Sequence, residues 1–229
     1  MNYAIYSSKK SARLFKFLSQ ASTDVKSEIK VIICEYEIDK EILKLIEENN
    51  IAVRIFDYAS LPGSNNKEKN LELSNLMLSV LKEMNIDYMI SFGSHLLSGD
   101  LLKEYEYHMI NFHPAILPMY PGHKAIDQAI DHGNTLLVGN TAHFIDSGMD
   151  TGKIIMQSVI PLQSFFDNGN DYDAILDLVI PMLNNIIFLL DNNRITVTDG
   201  NVRILGADYN KGMIFPFIPQ VKEGVNSND

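Results

Sequence analysis

Residues 88–113, YMISFGSHLLSGDLLKEYEYHMINFH, decide the fold class of this 229-residue chain. The segment begins and ends with short runs of strand-forming residues, 88–91 and 109–112, and apolar residues at helical spacing occupy 101–105 between them. A strand, an amphipathic helix and a second strand in this order are typical of a parallel βαβ unit. The segment therefore predicts a parallel sheet covered by helices.

The same alternation extends toward the N-terminus. Further strands are predicted at 3–6, 30–34 and 51–56, and further helices at 12–18, 41–46 and 71–84. Residues 61–70, LPGSNNKEKN, are expected to form either a solvated turn or a mobile loop near a substrate. We expect a doubly wound α/β, Rossmann-like domain whose ligands bind beyond the carboxyl ends of its strands.

The second half of the chain has a different texture. Two strands are expected at 136–144 and 153–159, followed by a helix at 172–190 that Pro181 kinks or splits. Residues 194–205, RITVTDGNVRIL, alternate around Asp-Gly and predict a β-hairpin. We expect a catalytic domain over 1–190 and a C-terminal hairpin and tail over 191–229.

Composition excludes several classes of protein. With 46% hydrophobic and 21% charged residues the chain is an ordinary globular one, and its net charge of −10 would repel nucleic acid. The single cysteine, Cys34, excludes a disulfide framework and a cysteine zinc site, and we expect no metal. The N-terminus does not resemble a signal peptide and no apolar run is long enough to span a bilayer, so we expect a cytoplasmic protein without membrane partners.

The densest group of functional residue types is INFHPAILPMYPG at 110–122. In an extended segment residues two apart share a face, so Asn111 and His113 point the same way where the strand ends. Three prolines then maintain an irregular loop that needs no ladder hydrogen bonds. On spacing alone, Asn-x-His is also compatible with a capping or core role.

A second group is GNTAHFIDSGMDTG at 139–152. Asp150 lies in a glycine-bounded turn from which a carboxylate can reach a neighbouring loop. Asn111, His113 and Asp150 suit acyl transfer, because an amide and an imidazole can stabilise an oxyanion while a carboxylate orients the imidazole. His143 is open to a second interpretation as a hydrogen-bonded core histidine, and Asp146 as a cap of its own turn.

Together, INFHPAILPMYPG and GNTAHFIDSGMDTGKIIMQ resemble the formyltransferases that use 10-formyltetrahydrofolate, a family that includes glycinamide ribonucleotide, methionyl-tRNA and sugar N-formyltransferases. The resemblance is close over residues 86–162. It implies the formyltransferase fold, 10-formyltetrahydrofolate as co-substrate, and Asn111, His113 and Asp150 as catalytic residues, with His143 preceding the aspartate loop.

The resemblance also implies where the two substrates bind. The folate is expected in a cleft between the loop 94–97 and the turn 145–150, against Ser94, His95, Leu96, Leu97, Ile145 and Asp146. The acceptor is expected against Ser7, Ser8, Lys9, Tyr120, Pro121, Gly122 and His143.

Departures from the family bear on the acceptor. The glycine-rich phosphate turn of the glycinamide ribonucleotide enzymes is replaced by residues 7–10, SSKK, and we expect no room for the basic C-terminal domain of the methionyl-tRNA enzymes. The hairpin at 194–205 resembles that of sugar N-formyltransferases, through which subunits pair. These features favour a nucleotide-linked 4-amino-4,6-dideoxyhexose, used for surface polysaccharide, as the acceptor.

Other interpretations stay open at this point. The acceptor could be phosphoribosylglycinamide or another small amine, or the chain could bind folate or a nucleotide without catalysis. We expect a homodimer formed through the apolar face of the hairpin. The alternative is that this face packs on the chain's own long helix.

Overall fold

A seven-stranded sheet organises the chain, in the strand order β3-β2-β1-β4-β5-β6-β7. The structure is a computed structural model that describes residues 1–8, 12–132, 135–167, 173–212 and 215, without the side chains of 173 and 174. Lys9, expected at the acceptor site, and residues 216–229 of the expected tail lie outside the described residues.

The strands are β1 Tyr3–Ser7, β2 Ile29–Cys34, β3 Ala52–Ile55, β4 Tyr88–Ser91, β5 Met109–His113, β6 Leu137–Phe144, β7 Ile154–Pro161, β8 Ile195–Thr198 and β9 Asn201–Ile204. The helices are α1 Ala12–Gln20, α2 Thr23–Glu28, α3 Lys40–Glu48, α4 Asn66–Glu83, α5 Asp100–Glu104, α6 Ala125–His132, α7 Leu162–Asp167, α8 Asp173–Leu176 and α9 Val179–Asp191.

The doubly wound α/β fold is confirmed. Strands β1 to β5 pair in parallel, and two hydrophobic clusters cover the two faces of the sheet, one with α1, α3 and α9 and the other with α4 and α5. Alternation along β1 shows this division, since Tyr3 and Ile5 belong to the first cluster and Ala4 and Tyr6 to the second.

One edge of the sheet is antiparallel. Strand β6 pairs antiparallel with β5, and β7 pairs antiparallel with β6. The connection between β6 and β7 is only the turn 145–153, and a turn of this length joins antiparallel neighbours but not parallel ones. The register places His143 opposite Asn111, and Thr141 opposite His113.

The fourth helix begins earlier than its apolar spacing predicts. Helix α4 starts at Asn66, because Asn65 Oδ1 accepts the Glu68 N–H at 3.0 Å and the Glu68 carboxylate accepts the Ser64 N–H at 2.7 Å. The expected loop 61–70 is therefore half helix. The expected helix at 172–190 is split into α8 and α9, with Pro181 in the first turn of α9, where a missing N–H costs no helical bond.

The hairpin is confirmed as β8 and β9, with Asp199 and Gly200 both at positive φ as a type I′ turn requires. Ile195, Val197 and Val202 are half-buried and pack against the cluster that contains α9. The apolar face of the hairpin thus contacts the chain's own core, which is the alternative to pairing between subunits. Among the described residues, no helix combines the length and the apolar character that crossing a bilayer requires.

Candidate active site

Asn111 and His113 lie on one face of β5, as the period of two predicts. Ile110 and Phe112 point into the core on the opposite face. The Asn111 side-chain nitrogen lies 3.2 Å from His143 Nε2 and 3.5 Å from Asp150 Oδ1. Its Oδ1 atom is buried and has no hydrogen-bond partner among the described residues. An amide with an unpaired buried oxygen is a place where a ligand can complete the hydrogen bonding.

His143 holds the orientation of that amide. The His143 side chain is 3% exposed, and its Nδ1 lies 2.8 Å from the Phe144 carbonyl oxygen. Nδ1 therefore donates and leaves the Nε2 lone pair to accept from the Asn111 NH₂. His143 lies on the cavity wall, but its ring nitrogens are both engaged within the protein, as the core-histidine interpretation anticipates.

His113 lies between two acceptors. Its Nε2 is 2.9 Å from the Tyr120 carbonyl oxygen, and its Nδ1 is 3.3 Å from Asp150 Oδ2. Only the imidazolium can donate to both. Burial nevertheless holds the pKa of His113 below its ordinary value and outweighs the Tyr120 carbonyl and the Asp150 carboxylate, which both raise it.

Asp150 connects the two motifs. Its Oδ2 accepts the Gly122 N–H at 2.8 Å, and its residue adopts φ 55°, which turns the carboxylate toward β5. Burial raises the pKa of this carboxyl, but the contact with the His143 ring, the hydrogen bond from the Gly122 N–H and the neighbouring His113 outweigh burial and leave the pKa below its ordinary value. Asp150 is therefore ionised at neutral pH.

Asn111, His113, His143 and Asp150 line a cavity of about 210 Å³, and the loop 93–97 and the turn 145–150 contribute to its walls. All six residues expected against the folate line it: Ser94, His95, Leu96, Leu97, Ile145 and Asp146. Leu97 and Ile145 belong to or pack on one hydrophobic cluster and give the cavity an apolar side. Asp146 also caps its own turn, because its Oδ1 accepts from Gly148 N–H at 3.0 Å and from Thr151 Oγ1 at 2.6 Å.

The residues expected against the acceptor are more scattered. Gly122 and His143 line the cavity, whereas Tyr120 and Pro121 do not, although the Tyr120 carbonyl oxygen contacts His113. Ser7 and Ser8 are buried; the Ser8 hydroxyl accepts the Ser94 N–H at 2.7 Å and so supports the loop of the cavity. Among the residues that the structure describes, no group of three or more histidine, cysteine, aspartate or glutamate side chains could hold a metal.

The family of the chain follows from a comparison with known protein families. Residues 1–177 match the protein family described as Formyl transferase. The chain belongs to the formyl transferase family.

Curated relatives of this formyl transferase domain include enzymes of purine synthesis. It is 35% identical over 125 residues to the phosphoribosylglycinamide formyltransferase of Bacillus subtilis, which covers 54% of this chain and 62% of that protein. It is 31% identical over 129 residues to the human trifunctional purine biosynthetic protein adenosine-3, covering 53% of this chain and 13% of that protein. The matches thus span less than two thirds of these relatives.

Solved structures share the fold. Glycinamide ribonucleotide transformylase 1 from Symbiobacterium toebii superposes with a TM-score of 0.73 at 23% identity, over 90% of this chain and 94% of that one. A formyltetrahydrofolate deformylase from Pseudomonas syringae superposes with a TM-score of 0.71 at 17% identity, over 89% of this chain and 65% of that one. At these identities the likeness concerns the fold alone.

Sequence reasoning missed several residues that line the formyl transferase cavity, among them Arg13. Its guanidinium donates to the carbonyl oxygens of Phe112 and Phe92 and lies 5.4 Å from the centre of the Phe92 ring. Burial lowers the pKa of Arg13 to about 10, so it is still charged at neutral pH. The apolar spacing of α1 gave no signal for this role, because that spacing identifies only the buried face of the helix.

Proposed function

We propose that this protein transfers the formyl group of 10-formyltetrahydrofolate to the primary amine of a small molecule. The observation that carries the proposal is that Asn111, His113 and Asp150 line one cavity. Asp150 lies 3.5 Å from the Asn111 side-chain nitrogen and 3.3 Å from His113 Nδ1. The cavity has an apolar side at Leu97 and Ile145 and polar groups at its base, which suits a flat heteroaromatic ring that carries a reactive carbonyl.

Asn111 stabilises the negative charge that develops on the formyl oxygen. One hydrogen of its NH₂ is held by His143, and the other faces Asp150 across a long contact of 3.5 Å. A developing oxyanion is a stronger acceptor at closer range and draws this second hydrogen away from Asp150. An oxyanion donor of this kind contributes about 100-fold to 1000-fold in rate.

His113 and Asp150 lie where the proton of the attacking amine is released. The amine nitrogen bonds to the formyl carbon, the bond from that carbon to the folate nitrogen breaks, and one proton passes from the amine to the folate nitrogen. Asp150 is ionised and accepts the amine proton directly or through water. The His113 imidazole donates toward the oxyanion when the formyl oxygen replaces one of its two acceptors, the Tyr120 carbonyl or Asp150. The step forms no covalent bond to the protein, and the buried thiol of Cys34 has a pKa raised by burial to about 12.

Phosphoribosylglycinamide is the acceptor that the comparisons support better. The Bacillus subtilis relative and the Symbiobacterium toebii structure are named for that activity, and none of the proteins described above is named for an amino sugar. The hairpin, which favours an amino-sugar acceptor when the sequence is considered alone, does not discriminate between an amino sugar and phosphoribosylglycinamide. The likeness to glycinamide ribonucleotide transformylase 1 covers 90% of this chain and so extends past residue 190.

The test is a panel of amines. The purified protein is mixed with 10-formyltetrahydrofolate and either phosphoribosylglycinamide or a dTDP-, UDP- or GDP-linked 4-amino-4,6-dideoxyhexose. Tetrahydrofolate formation is followed by absorbance, and the formylated product is identified by its mass. We expect formylated phosphoribosylglycinamide from the wild type and a loss of at least about 100-fold with Asp150→Asn.

The other outcomes are separable. Formylation of a nucleotide sugar alone overturns the acceptor and leaves formyl transfer standing. Release of formate at the same rate with and without any amine indicates hydrolysis of the donor. No reaction under any condition overturns formyl transfer.

A further inference from the structure

Three residues outside the loop that forms one wall of the cavity, Tyr6, Glu35 and Tyr58, make contact with it. His95, in the middle of that loop, places Nε2 3.0 Å from Glu35 Oε2, and its ring stacks on Tyr58 with centroids 3.8 Å apart and planes 15° from parallel. Tyr6 completes the set, because its hydroxyl bonds the other Glu35 oxygen. We call Tyr6, Glu35, Tyr58 and His95 the Glu35 cluster.

Because Glu35 is buried, both of its carboxylate oxygens need hydrogen-bond partners within the protein. The Glu35 side chain is 5% exposed, and a carboxylate that has lost its water must be paired and hydrogen-bonded. Burial, reinforced by the Glu35 charge, raises the pKa of Tyr6 well above its ordinary value, so the phenol remains a donor. The second oxygen of Glu35 is then left to His95. Moving His95 away would leave half of a buried carboxylate unpaired.

The rest of the loop is held mainly near its ends. The Ser94 N–H donates to Ser8 Oγ at 2.7 Å, and the Ser98 N–H donates to Ser74 Oγ at 3.0 Å. Leu96 between them is 40% exposed. His95 is therefore the residue whose side chain fixes the middle of the loop.

Gly93 shows how closely the loop follows the cluster. A Cβ atom at Gly93 would lie 2.0 Å from Cε1 of Tyr6, so the backbone rests directly on the Tyr6 ring. Tyr6 therefore contacts the cavity wall at Gly93, and Glu35 contacts it at His95. Within the described chain, this wall is built on β1 and β2 as much as on the β4 strand from which it emerges.

We propose that Glu35 and His95 are positioning residues for the formyl donor: their contact sets the distance between the loop 94–97 and the turn 145–150, and so the width of the slot for a flat pterin ring. The inference rests on the proposed function, since it takes that cavity as the donor site. Irregular loops without such anchors open easily, and a slot displaced by about 1 Å loses much of its binding. Neither residue takes part in the chemistry.

The kinetic test is a double-mutant cycle with Glu35→Gln, His95→Gln and the pair. Each single variant is expected to raise the KM for 10-formyltetrahydrofolate about tenfold, to change kcat by no more than about twofold, and to be no worse when combined, because both remove one contact. His108→Gln is the matched control. His108 also stacks on a tyrosine, Tyr88, at 4.9 Å, but does not line the cavity.

A second readout does not depend on turnover. Hydrogen exchange followed by mass spectrometry is expected to be about tenfold faster at residues 93–97 in Glu35→Gln and His95→Gln, and unchanged in the β4 and β5 peptides. Should Glu35→Gln fail to fold, Tyr58→Leu removes the stacking on His95 together with the hydrogen bond from the Tyr58 hydroxyl to Asn70, and is expected to speed exchange in the same segment.

The outcomes separate this inference from the proposed function. An active wild type whose variants keep the same donor KM and the same loop exchange overturns the positioning role and leaves formyl transfer intact. Additive effects of the two substitutions overturn the claim that they act through one contact. A wild type that neither turns over nor binds 5-formyltetrahydrofolate overturns the proposed function and, with it, the donor assignment of this wall.

Discussion

The side-chain nitrogen of Asn111 lies 3.2 Å from Nε2 of His143, directly across the β5–β6 pair. His143 can accept this hydrogen bond because its other nitrogen donates to the Phe144 carbonyl oxygen. If the Asn111 amide rotated by half a turn, its oxygen would face the Nε2 lone pair, and two acceptors would repel each other. The neighbouring strand therefore determines which end of the Asn111 amide is available for catalysis.

His143→Leu is expected to lower kcat by at least about tenfold with little change in either KM, because the oxyanion donor loses its orientation while the cavity keeps its shape. His143→Gln retains an acceptor and is expected to recover part of the activity. Steady-state kinetics with both substrates varied measure the effect. A full kcat in His143→Leu would show that Asn111 is oriented by other contacts.

Asp150→Asn is expected to lower kcat about 100-fold or more, while donor binding is retained. The new amide can still accept the Gly122 N–H, but it carries no charge for the amine proton or for His113. Single-turnover rates and titration with 5-formyltetrahydrofolate separate the two effects. Turnover above about a tenth of wild type would remove Asp150 from the proton transfer.

Much of this site is predictable from sequence, and the reason is geometric. Period-two alternation places Asn111 and His113 on one face of a strand, and glycines mark the turn of Asp150, so local sequence is sufficient to place all three, whereas their catalytic role is implied by the family resemblance. The antiparallel edge that sets His143 against Asn111 follows from the pairing of β5 with β6, which local periodicity does not encode. Local periodicity likewise does not predict the roles of Arg13 and Glu35, because their partners lie in distant segments of the chain.

Acid stability offers a prediction with a definite sign. The pKa of Asp150 is lowered on folding, so its ionised form contributes stability that is present above the unfolded value of 3.8 and lost as the pH falls through the folded value. Wild type is therefore expected to lose more free energy of unfolding than Asp150→Asn when the pH is lowered from 6 toward 3. Urea denaturation at a series of pH values measures this difference, and parallel curves would contradict it.

Arg13 is expected to influence His113 through charge. The guanidinium is one of the causes that hold the pKa of His113 below its ordinary value, so Arg13→Gln should raise that pKa. The change is measured by NMR titration of the His113 ring protons in the free protein. Lys26→Gln, on α2, removes a charge from a side chain that is not part of the cavity wall and is the control. An unchanged His113 pKa in Arg13→Gln would show that solvent screens the pair.

The hairpin yields a prediction that separates packing within the chain from pairing between chains. Val197 is half-buried against the cluster that contains α9, so Val197→Asp places a charge against an apolar surface. We expect it to lower the free energy of unfolding by about 2–3 kcal/mol, with no change in the mass measured by sedimentation equilibrium. Thr198→Asp introduces the same charge at an exposed neighbouring position and should leave stability within about 0.5 kcal/mol of wild type. If Val197→Asp instead converts a dimer to a monomer without loss of unfolding free energy, then the apolar face of the hairpin is the contact between two copies of the chain.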